Sequence, residues 1–409
     1  MGKVTKKRRL LLLLPAVLLL SACGDDLNAV VPVKGLAELA EPIVDSGMAE
    51  EEEIKEPISE ADSEPVGAAA QAAGTQESDT DDTAEDISDD EVITITISAA
   101  GDVSLGNHQN QDYYYSFRQA YDQAEDEGYF FENVLDILGA DDFTIMNLEG
   151  VLTLSENMAE GLTYNIKGDP EYVDILTAGS VEGVSMGNNH RLDYGEGGSR
   201  DTVAALEQAG IVYAYDNITG IYETKGIRIG FVSVNEAYWG AKVEKTMQEG
   251  IKALQEEGAD LILACCHWGT ELEYYPEDYQ TILGEKCIDW GADLVIGHHP
   301  HVLQGVDIYK GKYIIYSLGN FCFGANRNPS DKDTMIFQQT FTFRNGTLEE
   351  DGEVRVIPCY VSSVSARNDF KPTLAEGEEA RRIIDRINEY SSGFGVAFDE
   401  DGALIKSTK

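Results

Sequence analysis

Basic residues are scarce in this chain of 409 residues, which has 30 Lys and Arg against 74 Asp and Glu and a formal net charge of −44. Duplex nucleic acid is bound largely by Lys and Arg side chains that neutralise its phosphates, so this balance argues against nucleic acid as a partner. Long apolar runs are lacking as well. The run Leu10–Leu20 has only 11 residues, whereas a helix that spans a membrane needs about 20.

Cysteine is infrequent too, with six in the chain and no pair at the Cys-x-x-Cys spacing of a zinc ribbon. A structural zinc knuckle is therefore not expected. Cys265 and Cys266 fall in an apolar segment, where a free cysteine packs as a small hydrophobe. Apart from Cys23, five cysteines remain, and this odd number leaves their redox state open; they are Cys265, Cys266, Cys287, Cys322 and Cys359.

The N-terminus has the parts of an export signal. Five basic residues between Lys3 and Arg9 precede the apolar run Leu10–Leu20, which leads into Leu20-Ser21-Ala22-Cys23. This last segment resembles the bacterial lipobox, in which the cysteine is acylated and becomes the new N-terminus. We therefore predict a lipoprotein signal peptide at residues 1–23, lipidation at Cys23 and an extracytoplasmic protein that is lipid-anchored to the bacterial cell membrane. The alternative is a plain signal peptide that is cut after a small residue.

Residues 24–91 differ in composition from the rest of the chain, with 22 acidic residues against 2 basic ones. They include the run Glu50–Glu53 and have few aromatic residues. Such a segment buries too little apolar surface to offset the entropy lost on ordering. We predict a disordered acidic stalk at residues 24–91, followed by a folded domain at residues 92–409 that is long enough to bury a large core.

Beyond the stalk, β-branched segments alternate with amphipathic ones. Val92–Ile97 alternates in the manner of a strand, and Val203, Leu206 and Ala209 have helical spacing. Repeated strand–helix units predict an α/β fold with stacked layers of sheet and helix. The predicted strands are 92–97, 143–146, 183–186, 211–213, 227–234, 261–265 and 294–296, with a mostly strand-like region at 302–361. The predicted helices are a region ending at 138, then 171–177, 198–209, 242–257, 279–290 and 376–390.

Polar clusters follow the apolar strands at their C-terminal ends, and all six histidines lie in or just after such turns. In α/β sheets the ligand crevice lies outside those strand ends, so five loops are expected to meet at one rim. Glycines within the clusters permit the tight turns that aim side chains inward. The clusters are Gly101-Asp102, Asn147-Leu148-Glu149-Gly150, Asn188-Asn189-His190, His267-Trp268-Gly269 and Gly297-His298-His299-Pro300-His301.

The donor types in these clusters indicate a metal site. Imidazole, carboxylate and amide oxygen together suit Mn, Fe or Zn, whereas Ca prefers oxygen alone and Cu(I) prefers soft sulfur. The pair His299 and His301 is the sharpest signal, because residues i and i+2 of an extended chain point to the same side. We therefore predict one or two divalent ions, with both of these imidazoles as ligands.

The clusters occur in an order that resembles the CapA family over residues 92–365. The resemblance implies a lipoprotein or membrane-anchored protein of capsule and poly-γ-glutamate production. That family is in turn similar to the calcineurin-like metallophosphoesterases, which implies a layered sandwich of two mixed β-sheets flanked by helices around a dinuclear metal centre. Besides the clusters above, Asp193-Tyr194-Gly195 and Tyr316-Ser317-Leu318-Gly319-Asn320-Phe321 carry the resemblance.

The resemblance also assigns roles to individual residues. Asp102 takes the place of the first metal-binding aspartate, Glu149 that of the bridging carboxylate, and His190 that of a catalytic acid beside the ions. Phosphoesterases have Asp-x-His at the first motif, whereas Asp102-Val103-Ser104 lacks the histidine. His108, six residues on, is expected to be a surface histidine rather than its replacement. The metal ligands implied are Asp102, Glu149, Asn189, His267, His299 and His301, with Asn188, His298 and Asn320 as weaker candidates.

Metal-assisted hydrolysis is the activity implied, because a bound ion lowers the pKa of water and polarises the bond under attack. The substrate is a phosphoester, as in the related enzymes, or a γ-glutamyl polymer, as the capsule context implies. The alternative is a non-catalytic accessory subunit of a membrane polymer synthase or exporter, in which the ions stabilise the fold. The expected partners are the membrane, an anionic polymer such as poly-γ-glutamate, and membrane synthase subunits. A substrate-binding lipoprotein of a transporter shares the anchor but does not predict the histidines.

Overall fold

The computed structural model describes residues 91–236, 241–349 and 352–405. The predicted signal peptide with Cys23 and the predicted stalk up to residue 90 lie outside these ranges and remain predictions. None of the helices that are described is both long and apolar enough to cross a membrane.

Short strands and helices alternate through these ranges. The strands are β1 (Val92–Ser104), β2 (Asn107–His108), β3 (Phe143–Leu148), β4 (Val151–Leu152), β5 (Ile166–Gly168), β6 (Gly183–Ser185), β7 (Val212–Ala214), β8 (Gly220–Thr224), β9 (Ile227–Asn235), β10 (Leu261–His267), β11 (Leu294–His298), β12 (Val306–Tyr309), β13 (Lys312–Ile315), β14 (Asn320–Phe323), β15 (Asp333–Arg344), β16 (Thr347–Leu348), β17 (Val354–Tyr360) and β18 (Thr373–Leu374). The α-helices are α1 (Phe117–Gln123), α2 (Leu135–Leu138), α3 (Val173–Ala178), α4 (Gly195–Ala209), α5 (Ala241–Glu256), α6 (Asp278–Trp290) and α7 (Gly377–Ser391).

The strands form two large mixed sheets and one small sheet. The first sheet has nine strands in the order β18-β17-β15-β1-β3-β6-β7, with β14 beside β1 and β16 beside β15. The second has six strands in the order β12-β13-β11-β10-β9-β8, and β2, β5 and β4 form the third. In both large sheets the strands that carry the polar clusters are parallel: β1, β3 and β6 in the first, and β9, β10 and β11 in the second. Parallel strands bring their carboxyl ends to the same edge of each sheet.

The alternation of side chains along β1 shows why the chain forms layers. Ile95, Ile97 and Ala99 face a core between the two large sheets, and Ala100 faces a second core on the other side. Successive residues of a strand point to opposite faces, so a strand that is apolar on both faces needs a layer on each side. Helices α1, α3 and α4 cover the first sheet, and α5 and α6 cover the second.

The predicted α/β architecture of two mixed sheets flanked by helices is confirmed, and most of the predicted strands and helices recur with shifts of one to three residues at their ends. The first strand is longer than predicted, because β1 continues to Ser104. The region ending at residue 138 differs, because it contains α1, the 3₁₀ turn Glu127–Phe130 and α2 rather than one helix. Asp126 begins that turn, and its carboxylate accepts a hydrogen bond from the backbone N–H of Gly128. The five cysteines of the described ranges are free and buried.

Candidate metal centre

The loops at the carboxyl ends of the parallel strands meet where the two large sheets face each other, and they bring the predicted ligands together. The first sheet supplies a carboxylate at the end of one strand, a second carboxylate after the next, and an Asn-His pair after the third. The second sheet supplies the other histidines. In order, the residues are Asp102 of β1, Glu149 after β3, Asn189 and His190 after β6, His267 of β10, and His298, His299 and His301 at and after the end of β11.

Asp102 is fully buried, and donors surround its carboxylate. Oδ1 accepts a hydrogen bond of 2.8 Å from Asn147 Nδ2 and lies 3.3 Å from His298 Nδ1. Oδ2 lies 3.2 Å from His301 Nδ1 and accepts a 3.3 Å hydrogen bond from the backbone N–H of His299. Burial raises the pKa of Asp102, but the contacts with the two imidazoles outweigh burial and hold this pKa well below its usual range. Asp102 is therefore ionised, the form that binds a cation.

Glu149 is also fully buried, and neither of its carboxylate oxygens has a hydrogen-bond partner among the described residues. Three imidazoles surround Oε1, with His301 Nε2 at 3.7 Å, His190 Nε2 at 3.8 Å and His267 Nε2 at 4.0 Å. Burial raises the pKa of this carboxyl to about 8. Buried polar groups almost always have partners, and a lone buried carboxylate is costly. Glu149 and the surrounding imidazoles could therefore hold a cation between them.

Two sets of ligand atoms share the Glu149 carboxylate, and within each set the atoms lie within 4.8 Å of one another. This is the place expected for a carboxylate that bridges two ions. The donors are carboxylate oxygen and imidazole nitrogen, which Mn, Fe and Zn all accept. The first set consists of Asp102, Glu149 and His301, and the second of Glu149, His267 and His299.

The two histidines of the second set are neutral, which is the form that binds a metal. Burial lowers the pKa of His267 well below its usual range. Burial, followed by the charge of His301, lowers the pKa of His299 to about 3. Asn189 Oδ1 lies 2.9 Å from His267 Nε2, so an amide oxygen and an imidazole nitrogen converge as two ligands of one ion would.

His301 behaves differently from these two. Burial disfavours its charged form, but the charges of Glu149 and Asp102 outweigh burial and raise its pKa to about 10. The two carboxylates thus attract positive charge to this point, where a metal ion competes with the proton.

The expectation that His299 and His301 lie on an extended chain is wrong. Their φ angles are 96° and 56°, in the left-handed region of backbone conformation that residues other than glycine rarely adopt. Their imidazoles nevertheless converge, with ring centroids 5.8 Å apart. Strained backbone of this kind persists only where surrounding contacts hold it, as the hydrogen bond from His299 N–H to Asp102 does here.

Gly101 is needed because β1 passes very close to the turn before β14. A Cβ on Gly101 would lie 2.0 Å from the carbonyl oxygen of Gly319. That same carbonyl accepts a 2.9 Å hydrogen bond from the backbone N–H of Asp102. The glycine therefore fixes the position from which the Asp102 carboxylate enters the site.

His190 is oriented by a buried carboxylate. Its Nδ1 lies 2.7 Å from Oδ2 of Asp193, which is fully buried and also accepts a hydrogen bond of 2.5 Å from the backbone N–H of Ile166. Burial lowers the pKa of His190, but the hydrogen bond and charge of Asp193 outweigh burial and raise it. The opposite ring nitrogen, Nε2, faces Glu149. His190 thus presents an N–H donor to the centre.

The weaker candidates have supporting positions. Asn188 Nδ2 donates to Asn147 Oδ1 and to a backbone carbonyl, so its amide holds the turn after β6. His298 contacts Asp102 but belongs to none of the ligand sets found in the described ranges. Asn320 lies beside Asp102 in the sheet, and its buried Oδ1 has no partner in the described chain.

The expectation that His108 is a surface residue is wrong. It lies on β2 in the three-stranded sheet, is only 9% exposed, and packs its ring on Tyr164 with centroids 4.9 Å apart. It is absent from the ligand sets of the described residues.

Three residues at or beside the site were given no individual role from the sequence. Asn147 Nδ2 donates to Asp102 and lies 3.4 Å from His267 Nδ1, so it connects ligands from the two sheets. The sequence feature that could have identified Asn147 was the position of an amide side chain at the end of an apolar strand. Asp193 orients His190, and its short spacing from that histidine was visible in the sequence. Glu271, in the loop after β10, lies near His299 and His301.

Comparisons with known proteins identify the family of this chain. The family model described as Bacterial capsule synthesis protein PGA_cap matches residues 96–325. The capsule biosynthesis protein CapA of Bacillus anthracis is 27% identical over 298 residues, which cover 67% of this chain and 69% of that protein. The PGA biosynthesis protein CapA of Bacillus subtilis (strain 168) is 27% identical over 281 residues, which cover 63% of this chain and 72% of that protein.

A probable polyglutamine synthesis accessory protein of Mycobacterium tuberculosis (strain CDC 1551 / Oshkosh) is 25% identical over 291 residues, which cover 63% of this chain and 74% of that protein. The family model spans more than half of the chain, and these relatives match most of it. The protein therefore belongs to the bacterial capsule synthesis protein PGA_cap family, the CapA-like proteins of capsule and poly-glutamate biosynthesis that its motifs resemble.

Proposed function

We propose that this chain is a membrane-anchored, extracytoplasmic, metal-dependent hydrolase of capsule or poly-γ-glutamate biosynthesis. The observation that carries the proposal is the state of Glu149, which is fully buried and has no hydrogen-bond partner among the described residues. A divalent cation between Glu149 and the surrounding imidazoles relieves the cost of this buried charge.

The residues of the site fit one or two ions of Mn, Fe or Zn. Asp102, Glu149 and His301 would hold one ion, while Asn189, His267 and His299 would join Glu149 around the other. When bound, such ions supply a hydroxide near neutral pH and polarise the bond under attack.

The protein's own side chains do the remaining work. Asn147 holds the Asp102 carboxylate by a hydrogen bond of 2.8 Å and so fixes its direction. Asp193 holds His190 Nδ1, which leaves Nε2 directed toward Glu149. His190 donates a proton from Nε2 to the leaving group, and the raised pKa of this histidine keeps the proton available near neutral pH.

A cavity of about 470 Å³ adjoins the turn after β6, and Asn188 and Asn189 line it. Its charged lining is balanced, because Arg191 and Lys242 are matched by two carboxylates, Glu160 and Asp216. Arg191 also forms an ion pair of 2.7 Å with Asp216. A negatively charged phosphoester or γ-glutamyl polymer would therefore be held mainly by the metal centre rather than by this lining. The chain has a net charge of −44, but repulsion of a polyanion is largely screened beyond about 8 Å at physiological ionic strength.

The anchor follows from the N-terminal sequence. Acyl chains on Cys23 hold a protein stably at a membrane when two or more are present. The acidic segment at residues 24–91 then serves as a spacer between the membrane and the site, within reach of membrane subunits that make or export the polymer.

The test uses the full-length protein, extracted from membranes in detergent and loaded with Mn, Fe or Zn. Hydrolysis of bis(p-nitrophenyl) phosphate and of poly-γ-glutamate is measured for the wild type, for His190→Gln and, as a matched control, for His108→Gln. We expect metal-dependent turnover of one substrate class, a loss of about 10²- to 10⁴-fold in His190→Gln, and little change in His108→Gln. Bound metal without turnover of either substrate would refute the hydrolase.

The second candidate is a non-catalytic accessory subunit of a polymer synthase or exporter. One observation favours it: the relative from Mycobacterium tuberculosis is named a synthesis accessory protein. In that case the ions only stabilise the fold. Chelation then lowers the melting temperature, and no hydrolysis is detected with or without metal.

A further inference from the structure

The loop after β10 carries a third carboxylate toward the centre. Residues 268–273 are fastened to the histidine loop by two backbone hydrogen bonds, from Trp268 N–H to the His298 carbonyl at 3.1 Å and from Leu272 N–H to the Pro300 carbonyl at 2.9 Å. Glu271 lies between these two anchors. The position of its side chain is therefore coupled to that of His299 and His301.

The Glu271 carboxylate lies at the distance expected for a ligand of a shared ion. One of its oxygens and a ring nitrogen from each of His299 and His301 all lie within 4.8 Å of one another. Ligand bonds of about 2.0–2.2 Å from carboxylate and imidazole place two ligands of one ion at most about 4.4 Å apart, so small side-chain movements within this group suffice for one ion to bind all three. Two buried nitrogens of this group, Nδ1 of His299 and Nδ1 of His301, lack hydrogen-bond partners among the described residues.

His301 belongs to a set that has only three side chains. The set of Asp102, Glu149 and His301 supplies three side chains, whereas the related phosphoesterase motif would add a histidine at the position of Ser104. The hydroxyl of Ser104 is buried and has no partner in the described chain. A closed tetrahedral site needs four ligands.

We propose that Glu271 supplies a carboxylate ligand to an ion that it shares with His299 and His301, which belong one to each of the two sets that contain Glu149. This inference rests on the proposed function, because it assumes that the centre holds metal. Glu271 is half-buried, whereas Asp102 and Glu149 are fully buried, so it binds the ion from the side that opens to solvent. A third carboxylate also favours hard ions such as Mn over softer ones.

Two histidines compete for this role, and the structure disfavours both. His298 Nδ1 lies 3.3 Å from Asp102 Oδ1, so this imidazole contacts a ligand, but it belongs to no ligand set of the described residues. His108 packs on Tyr164 in the small sheet and is likewise outside these sets.

The experiment measures Mn²⁺ binding to the full-length protein in detergent, by calorimetry and by elemental analysis after removal of free metal. The variants are Glu271→Gln, Glu271→Asp and the control Glu273→Gln, which changes an exposed carboxylate two residues away in the same loop. Melting temperatures in chelator check that each variant folds. We expect two Mn²⁺ per wild-type chain and per Glu273→Gln chain. In Glu271→Gln the affinity for one ion falls by at least about tenfold, and Glu271→Asp is intermediate.

The outcomes separate this inference from the proposed function. If the wild type binds no Mn²⁺ and no other divalent ion, both fail. If the wild type binds metal and Glu271→Gln binds the same number of ions with the same affinity, only the Glu271 assignment fails. If Glu271→Gln and Glu273→Gln lose affinity equally, the effect is one of loop charge, and the assignment again fails.

Discussion

Nδ1 of the half-buried His190 lies 2.7 Å from Oδ2 of Asp193. Asp193 is fully buried and belongs to the turn that follows β6. A carboxylate at Nδ1 fixes the tautomer and the orientation of an imidazole, so that the other nitrogen can donate or accept a proton. In the proposed function, Asp193 therefore orients His190 for proton transfer.

Replacing Asp193 with Asn tests this role. The amide oxygen can take the place of Oδ2 and accept hydrogen bonds from both Ile166 N–H and His190 Nδ1, but the negative charge that raises the pKa of His190 is lost. We expect kcat to fall on the order of 100-fold, with unchanged metal content. The pH profile of kcat should also change. Equal kcat values for Asp193→Asn and the wild type would show that Asp193 has only a structural role.

Replacing Gly101 with Ala tests how Asp102 is positioned. The new Cβ meets the Gly319 carbonyl oxygen at 2.0 Å, so β1 must shift and carry the Asp102 carboxylate with it. We expect weaker Mn²⁺ binding and a loss of stability of about 1–3 kcal/mol from the overpacking. Gly197→Ala is the matched control, because no atom lies within 4 Å of its added Cβ in α4. The control should stabilise the chain by roughly 0.4–1 kcal/mol. Unaltered metal affinity in Gly101→Ala would contradict the account.

Replacing Glu149 with Gln tests whether the shared carboxylate binds metal, and the measurement is the change in melting temperature when Mn²⁺ is added. Metal bound only by the folded state stabilises it by about 2.7 kcal/mol at 100 times the dissociation constant, so Mn²⁺ should raise the melting temperature of the wild type. Glu149→Gln should lose most of this increase. In chelator the variant should melt at or above the wild-type temperature, because it no longer buries an unpaired carboxylate. A full Mn²⁺-induced increase in the variant would exclude Glu149 as a ligand.

Asp141 gives the chain a dependence of stability on pH that is independent of the metal centre. Burial raises its pKa to about 7, despite the hydrogen bond from Thr144 Oγ1. The folded state therefore binds this proton more tightly than the unfolded state. The resulting stability is fully present below the unfolded pKa of about 3.9 and is lost as the pH rises through 7.

Asp141→Asn removes this titration and keeps an oxygen for the Thr144 hydroxyl. Its advantage in free energy of unfolding over the wild type should grow between pH 4 and pH 7 and stay constant above that, as measured by urea denaturation. The control Asp136→Asn, at an exposed carboxylate, should show no such trend. A constant difference between Asp141→Asn and the wild type across this range would contradict the assignment.

The sequence was sufficient to predict the layers and the convergence of most of the polar clusters, because both depend on short-range patterns. The alternation in β1 and the apolar run of β10 locate these strands, and parallel pairing of β1 with β3 brings Asp102 and Glu149 to one edge of the first sheet. Positive φ angles at His299 and His301 were not predictable, since they arise from contacts with distant residues such as Asp102.

The positions of loop residues were also not predictable from the sequence. Glu271 reaches the centre only because its loop is hydrogen-bonded to the loop of His298 and Pro300, and this long-range contact leaves no periodic signal in the sequence. His108 was misjudged for a related reason, because its burial depends on pairing between the two-residue strand β2 and the three-residue strand β5. Elements so short carry too few residues to show an alternation.

The central claim is that the carboxylates and imidazoles around Glu149 hold divalent metal. Elemental analysis of the full-length protein, purified without chelator and then equilibrated with Mn²⁺, Fe²⁺ or Zn²⁺, tests it most directly. We predict close to two ions per chain in the wild type, with a marked loss in Glu149→Gln. A wild-type protein that folds normally but retains none of these ions, or a Glu149→Gln variant that retains as many as the wild type, would contradict the account.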